Sequence, residues 1–283
     1  VMALSLCACG TTTDETTDEG TTTETETTTE ANPADAISDT MTSEDGTYEL
    51  AFVTDVGQLK DKSFNQGTFD GVKLYANANG LSYKYYQPAN GSEATDDDRY
   101  DAMKAAVDGG AEVVVCAGYL QEAALRKAAL EFPDTPFVFI DGYPIQEKAT
   151  EYDEATGEAL PNDSPILTNV AGISFQEEQA GYLAGYAAVK DGFTKLGFMG
   201  GMAVPAVIRY GYGFVQGVDA AAAELKPTDV KVNYAYGNQF FGDADITAAM
   251  DTWYAGGTEI VFACGGGIYT SAVDAAKKVE GAK

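Results

Sequence analysis

From residue 48 onward, short apolar runs alternate with stretches in which apolar residues recur every three to four positions. The runs fall at 49–54, 82–87, 112–117, 137–141, 168–173, 195–200, 230–235 and 259–263. Several, such as EVVVCAG, PFVFIDG and EIVFACGG, are almost continuously apolar, whereas a half-exposed strand would alternate. That pattern predicts parallel strands covered on both faces. The stretches between them predict helices over 64–79, 97–108, 121–132, 175–190, 206–224, 243–255 and 269–280. Strand and helix in strict turn predict right-handed βαβ units, hence an α/β chain with doubly wound parallel sheets.

Local signals refine the boundaries. Ser63 with Gln66, and Ser174 with Glu177, have the spacing of a capping box, in which a hydroxyl and the third helical side chain satisfy each other's free amides. Residues 143–165, rich in Pro, Asp, Glu and Gly, show no period and divide the body into two similar series. The expected lobes are 48–169 and 170–283, with the boundary near Val170.

In open α/β sheets, ligands sit beyond the carboxyl ends of the strands. Those ends are unusual here. They read TDVGQLKDKSFNQG, CAGY and FIDGYP in the first series, and MGGMAVP, AYGN and ACGGG in the second. Glycines let backbone approach a ligand closely, and Asp55 and Asp141 stand where a carboxylate would face a cleft.

The first 47 residues are of another kind. VMALSLCACG is a short apolar run ending in cysteine, too short for a span of roughly 20 residues, and it is expected to be a signal-peptide remnant over 1–9. Leu6, Cys7, Ala8 and Cys9 fit a lipobox, which makes Cys9 the expected lipidated residue. Cys7 fits worse because bulky Leu6 would precede it. The Thr/Glu-rich stretch that follows lacks apolar periodicity, so 10–47 is expected to be a disordered linker.

Charge and composition narrow the chemistry. Of the formal charge of −27, about −11 belongs to residues 1–46 and −16 to the body. An acidic body excludes nucleic-acid binding, which needs Lys and Arg to displace phosphate counterions. With no histidine in the chain, no Ser-His or Cys-His nucleophile and no His-containing zinc site can form. Cys116 and Cys264 lie far apart in apolar segments without Cys-x-x-Cys spacing, so no metal or cofactor is expected.

At TDVGQLKDKSFNQGTFDGV the chain resembles the basic membrane protein family, purine-nucleoside-receptor-like substrate-binding lipoproteins of ABC importers. The resemblance continues through FVFIDG, ISFQEEQAGYLAGYAA, KLGFMGGMAVP, YGYGFVQG and IVFACGGG, covering Tyr48 to the end. It implies a type I periplasmic-binding-protein fold whose two lobes close over a nucleoside, with the base between aromatic rings and the ribose on carboxylates and a lysine. It also implies attachment to the extracytoplasmic face of the cell membrane through a lipid anchor, ABC permease subunits as partners, a monomer, and no catalytic activity.

Carried over residue by residue, the resemblance implicates Asp55, Phe64, Asn65 and Asp141 in the first lobe, and Phe175, Tyr210 and Gly265, Gly266 and Gly267 in the second. Tyr210 stands where the family usually has phenylalanine. The family continues beyond a sequence like KKVEGAK with a further strand, so the chain is expected to be truncated at its C-terminus. Plainer roles stay open: Asp55 as a turn residue, Phe64 or Tyr210 as core, the glycines as a tight turn. A sugar or autoinducer-like polyol as ligand, a surface receptor without transport, and a carboxylate-based nucleoside enzyme are the alternative functions.

Overall fold

The computed structural model describes residues 31–56, 58–153, 156 and 159–283. Cys9 and most of the expected linker lie outside these residues. Four strands of the first lobe alternate with helices: β1 (Leu50–Val53), α1 (Phe64–Asn79), β2 (Tyr83–Tyr86), α2 (Asp96–Asp108), β3 (Val113–Ala117), α3 (Glu122–Glu131) and β4 (Phe137–Ile140). After a long connection comes β5 (Val170–Ile173), which pairs with β4. The sheet is parallel throughout, in the order β2-β1-β3-β4-β5. The predicted start of the second lobe at Val170 is therefore corrected: that strand completes the first sheet, and the chain leaves the sheet only after Ile173.

The continuous apolar character of β1 has a direct cause. Ala51 and Val53 pack with Met103, Leu125 and Phe139 on one face, while Leu50 and Phe52 pack with Phe69 and Val72 of α1 on the other. Alternate side chains of a strand point to opposite faces, so helices on both sides demand apolar residues at every position.

The second lobe comprises α4 (Glu177–Lys190), β6 (Lys195–Gly200), α5 (Pro205–Leu225), β7 (Lys231–Tyr236), α6 (Ala244–Ala255), β8 (Ile260–Cys264) and α7 (Tyr269–Ala276). Its parallel sheet runs β7-β6-β8. Phe198 and Phe214 anchor the core under α4 and α5, and Met199, Met250 and Ile268 the core under α6 and α7.

Helices α4 and α5 meet backbone to backbone. A Cβ on Gly181 or Gly185 would lie 2.1 Å from the carbonyl oxygen of Tyr210 or Phe214, and one on Gly213 or Gly217 would lie 2.1 or 2.0 Å from that of Glu178 or Tyr182. Four glycines, two per helix at a four-residue spacing, thus set how near α5 comes to α4.

Part of the expected linker is ordered. Residues Pro33–Ala36 form a 3-10 turn with Ala34 fully buried, and the Tyr83 hydroxyl donates to the Ser38 carbonyl. The Nζ of Lys73 on α1, itself buried, donates to the carbonyls of Ala34 (3.1 Å) and Ile37 (3.4 Å) and to the Asp39 carboxylate (2.8 Å). The disordered linker predicted to extend to residue 47 is corrected accordingly: a buried cation straps 33–39 onto the first lobe. No low-complexity signal distinguishes this stretch, because its partner lies on a distant helix.

Both predicted capping boxes are also corrected. Ser63 makes no side-chain cap bond. Asp61 accepts instead from the amides of Ser63, Asn65 and Gln66 at 2.8, 3.1 and 3.1 Å. Helix α4 begins later than predicted, at Glu177 with Gln176 as its uncapped N-cap, and the Glu177 carboxylate pairs with Arg209. The capping box that does form joins Thr95 and Asp98 at the head of α2. Among the described residues no helix is long and apolar enough to cross a membrane, and no group of acids and cysteines could hold a metal ion.

Candidate functional site

The register of the first sheet aligns its strand ends. Val53 lies opposite Cys116, and Ala117 opposite Ile140, so the segments after β1, β3 and β4 emerge along one edge. Across from them stand the ends of β6 and β8 and the head of α5. Between the two lobes lies a cavity of about 380 Å³, bordered on one side by Asp55, Asp61, Phe64, Asn65, Tyr119 and Asp141. Its other side is formed by Val207, Tyr210, Phe240, Phe262, Cys264, Gly265 and Gly266. Among the described residues, the lining holds three aspartates and no lysine or arginine.

Each acid is held differently. Asp55 is buried; its carboxylate accepts the Val56 amide at 2.7 Å, and its carbonyl accepts Arg99 Nε at 3.2 Å. Gly118 makes room for that carboxylate: its φ is +104°, and a Cβ there would lie 2.3 Å from Asp55 Oδ2. Asp61 spends its oxygens on the first amides of α1, which fixes Phe64 and Asn65 at the cavity wall. Asn65 is buried as well, and its side-chain oxygen has no hydrogen-bond partner. Such an atom loses hydration without compensation until something donates to it.

Asp141 follows β4 with φ +61°, a left-handed conformation that Asp and Asn tolerate best among side-chain-bearing residues. Burial pushes its carboxyl up to about 6, Glu177 and Asp55 push the same way, and Arg209 opposes them. Across the cavity, Tyr210 meets Phe262 edge-on at 6.0 Å, and burial raises its phenol. The glycine turn after β8 is tight: a Cβ on Gly265 would lie 2.7 Å from the Gly201 amide nitrogen, and one on Gly266 2.8 Å from the Phe240 carbonyl oxygen.

The arrangement offers carboxylates as acceptors and aromatic rings as apolar walls, and comparison with known proteins places the chain in a lineage. A family model described as ABC transporter substrate-binding protein PnrA-like, Bmp, matches residues 48–282. The chain belongs to the Bmp family. Among relatives of this Bmp-family chain is the ABC transporter nucleoside-binding protein BmpA of Lactococcus lactis, 28% identical over 83% of this chain and 60% of its own length. Basic membrane protein A of Borreliella burgdorferi is 27% identical over 68% of this chain and 48% of its own. The chain thus spans about half to three-fifths of the length of these curated relatives.

A solved ABC transporter solute-binding protein from Aeropyrum pernix aligns with a TM-score of 0.64 at 21% identity, covering 81% of this chain and 58% of that one. One from Conexibacter woesei aligns at 0.54 and 23%, covering 81% and 68%. The likeness shows the fold, a type I periplasmic-binding architecture with α/β lobes. The family model describes substrate-binding proteins of ABC transporters.

Of the residues singled out from sequence in this Bmp-family chain, the structure brings Asp55, Phe64, Asn65, Asp141, Tyr210, Gly265 and Gly266 to one cavity. Gly267 is not in its wall; its amide donates to the Phe240 carbonyl at 2.8 Å, behind the lining. Phe175 is not in the wall either. It is 56% exposed, on the short link between β5 and α4, and it is Glu177 that turns inward, at 3% exposure.

Sequence reasoning missed Phe240, Phe262, Tyr119, Asp61 and Arg209. Tyr119 and Phe240 both follow strand ends, where the rule that found Asp55 applies equally. Asp61 carried the signal of an acid just before a helix start. Phe262 sits inside β8 among apolar neighbours, where nothing marks it as facing a cavity.

The raised Asp141 carboxyl has a stability consequence. Its folded value lies above that of an unfolded aspartate, so the ionised form burdens the fold above about pH 6, and the burden disappears as pH falls toward 4. Asp141→Asn keeps the left-handed turn and removes the charge. Thermal unfolding of the ligand-free variant at pH 7.5 should show a gain on the order of 2 kcal/mol, shrinking to nothing at pH 4. A pH-independent difference would contradict this.

Proposed function

We propose that the protein captures nucleosides outside the cytoplasm and presents them to an ABC importer, held at the membrane by a lipid on Cys9. The observation that carries this reading is the cavity itself: aromatic rings from both lobes, Asp55 and Asp141 placed to accept hydroxyl and ring N–H donors, and no lysine or arginine among the described lining residues. The printed name of the Lactococcus relative, a nucleoside-binding protein, supports the same reading. A base stacked between Phe64 and a ring of the second lobe is stabilised by apolar burial, about 25 cal/mol per Å². The ribose hydroxyls donate to the carboxylates, and an analogue without them leaves each acid uncompensated, a loss of roughly 1–3 kcal/mol.

Because wall contacts come from both lobes, the solute is bound better when the lobes are together, and binding shifts the population toward closure. The three acids also exclude phosphorylated solutes by like charge.

Calorimetry decides the matter. Adenosine, guanosine or inosine should bind and the corresponding 5′-monophosphates should not, with Asp141→Ala weakening nucleoside binding by tenfold or more. Ribose that displaces adenosine at equal concentration indicates a sugar receptor instead. Binding of the monophosphate as tightly as the nucleoside overturns the electrostatic argument.

A further inference from the structure

The geometry points to Arg209 as a positioning residue of the site, whose guanidinium ties α5 of the second lobe to the first-lobe segment that carries Asp141 and so couples lobe closure to the placement of that acid. The inference rests on the solute-receptor reading above. Arg209 Nη1 donates to the Tyr143 hydroxyl at 2.7 Å, and its Nε donates to Glu177 at 2.5 Å at the head of α4. Tyr143 and Arg209 belong to different lobes, so any parting of the lobes that carries them apart breaks their bond.

Both ends of this tie lead straight to the cavity. Tyr210, next to Arg209, is in its wall, and Asp141 lies two residues before Tyr143. The short segment between them is stiff. The Gly142 amide donates to the Ile173 carbonyl at 3.2 Å, a Cβ on Gly142 would lie 1.9 Å from the Phe139 ring, and one on Gly172 would lie 2.6 Å from the Tyr143 carbonyl carbon. A pull on Tyr143 is therefore passed to Asp141 rather than absorbed in a loop.

Electrostatics acts along the same line. Asp141 is faced by Asp55 beyond β1, Glu177 of α4, Arg209 and Tyr210 of α5, and Cys264 of β8, and of these only Arg209 is a cation. Glu177 is buried, and one of its oxygens has no hydrogen-bond partner. The Arg209 guanidinium, also 4.0 Å from Glu178, is the positive charge that offsets these acids. A lysine in its place retains the charge but lacks the planar fork needed to serve Glu177 and Tyr143 together.

Three variants test the assignment. In ligand-free protein, carboxyl carbon NMR should show the Asp141 carboxyl titrating with a higher midpoint in Arg209→Gln than in wild type, and with a near-wild-type midpoint in Arg209→Lys. In stopped flow, Tyr143→Phe and Arg209→Lys should each release adenosine about fivefold faster, as expected for loss of one hydrogen bond. An unmoved midpoint in Arg209→Gln, or unchanged release from Tyr143→Phe, overturns the proposal. Should adenosine not bind the wild type, the nucleoside reading fails, while the titration still decides the role of Arg209 without a ligand.

Discussion

Gly217→Ala is expected to lower stability by about 3 kcal/mol, the upper end of the usual overpacking range, because the added methyl would sit 2.0 Å from the Tyr182 carbonyl oxygen and 2.9 Å from the Tyr186 amide nitrogen. The obstruction is backbone, which cannot rotate away as a side chain can, so relief requires α4 and α5 to separate. For a domain of this size that corresponds to a fall in Tm of about 6–12 °C. Gly71 in α1 provides the contrast. It is exposed and a Cβ there meets nothing within 4 Å, so Gly71→Ala should raise stability by about 0.5–1 kcal/mol through helix propensity and reduced unfolded-state entropy. Denaturant midpoints of the two variants should move in opposite directions. A loss below about 1 kcal/mol for Gly217→Ala would show that the helices are not held at backbone contact.

The second large effect is expected at Lys73. Its Nζ is buried between Asp39 and Asp70, at 2.8 and 3.0 Å, and lies 5.5 Å from the centre of the Phe69 ring. Burial alone would lower its pKa, but the bonds to the two acids outweigh that and raise it, so the group is charged at every physiological pH. Lys73→Met removes the cation and leaves Asp70 buried without its countercharge, a cost of about 3–5 kcal/mol. It also frees the strap at 33–39. Asp70→Asn in the same chain should recover part of the loss, because the two effects share one interaction. Equilibrium unfolding measures the first, and limited proteolysis near residue 40 the second. Wild-type stability in Lys73→Met, with the strap still protected, would contradict the electrostatic account.

The strap also touches the candidate site indirectly. Asp39 pairs with Lys60 at 2.6 Å as well as with Lys73, and Lys60 belongs to the segment between Asp55 and Phe64. From sequence, Lys60 reads as a solvated loop charge.

How far the chain could be read in advance differs by level. Helix α1 and strand β6 match their predicted spans residue for residue, since both are strongly patterned and bounded by polar or glycine residues. The head of α4 lies later than the pattern predicts, because Ser174 and Glu177 imitate a capping box while Glu177 is drawn to Arg209, thirty-two residues away. Strand β5 joins the first sheet, which an apolar run cannot show, because it records that a strand is buried, not against which neighbour.

The sequence by itself determined the order of strands and helices, the two-sided cover of the sheets, the absence of imidazole chemistry, and the strand ends at which Asp55, Asp141 and the glycine turn emerge. These depend on period, composition and backbone freedom, which are local. Only the tertiary structure decided that Phe240 and Phe262 join that wall, that Phe175 does not, that Lys73 holds 33–39, and that Arg209 spans the lobes. Each of those is a meeting of side chains far apart in the chain, fixed by how the sheets twist and how closely glycine lets the helices approach.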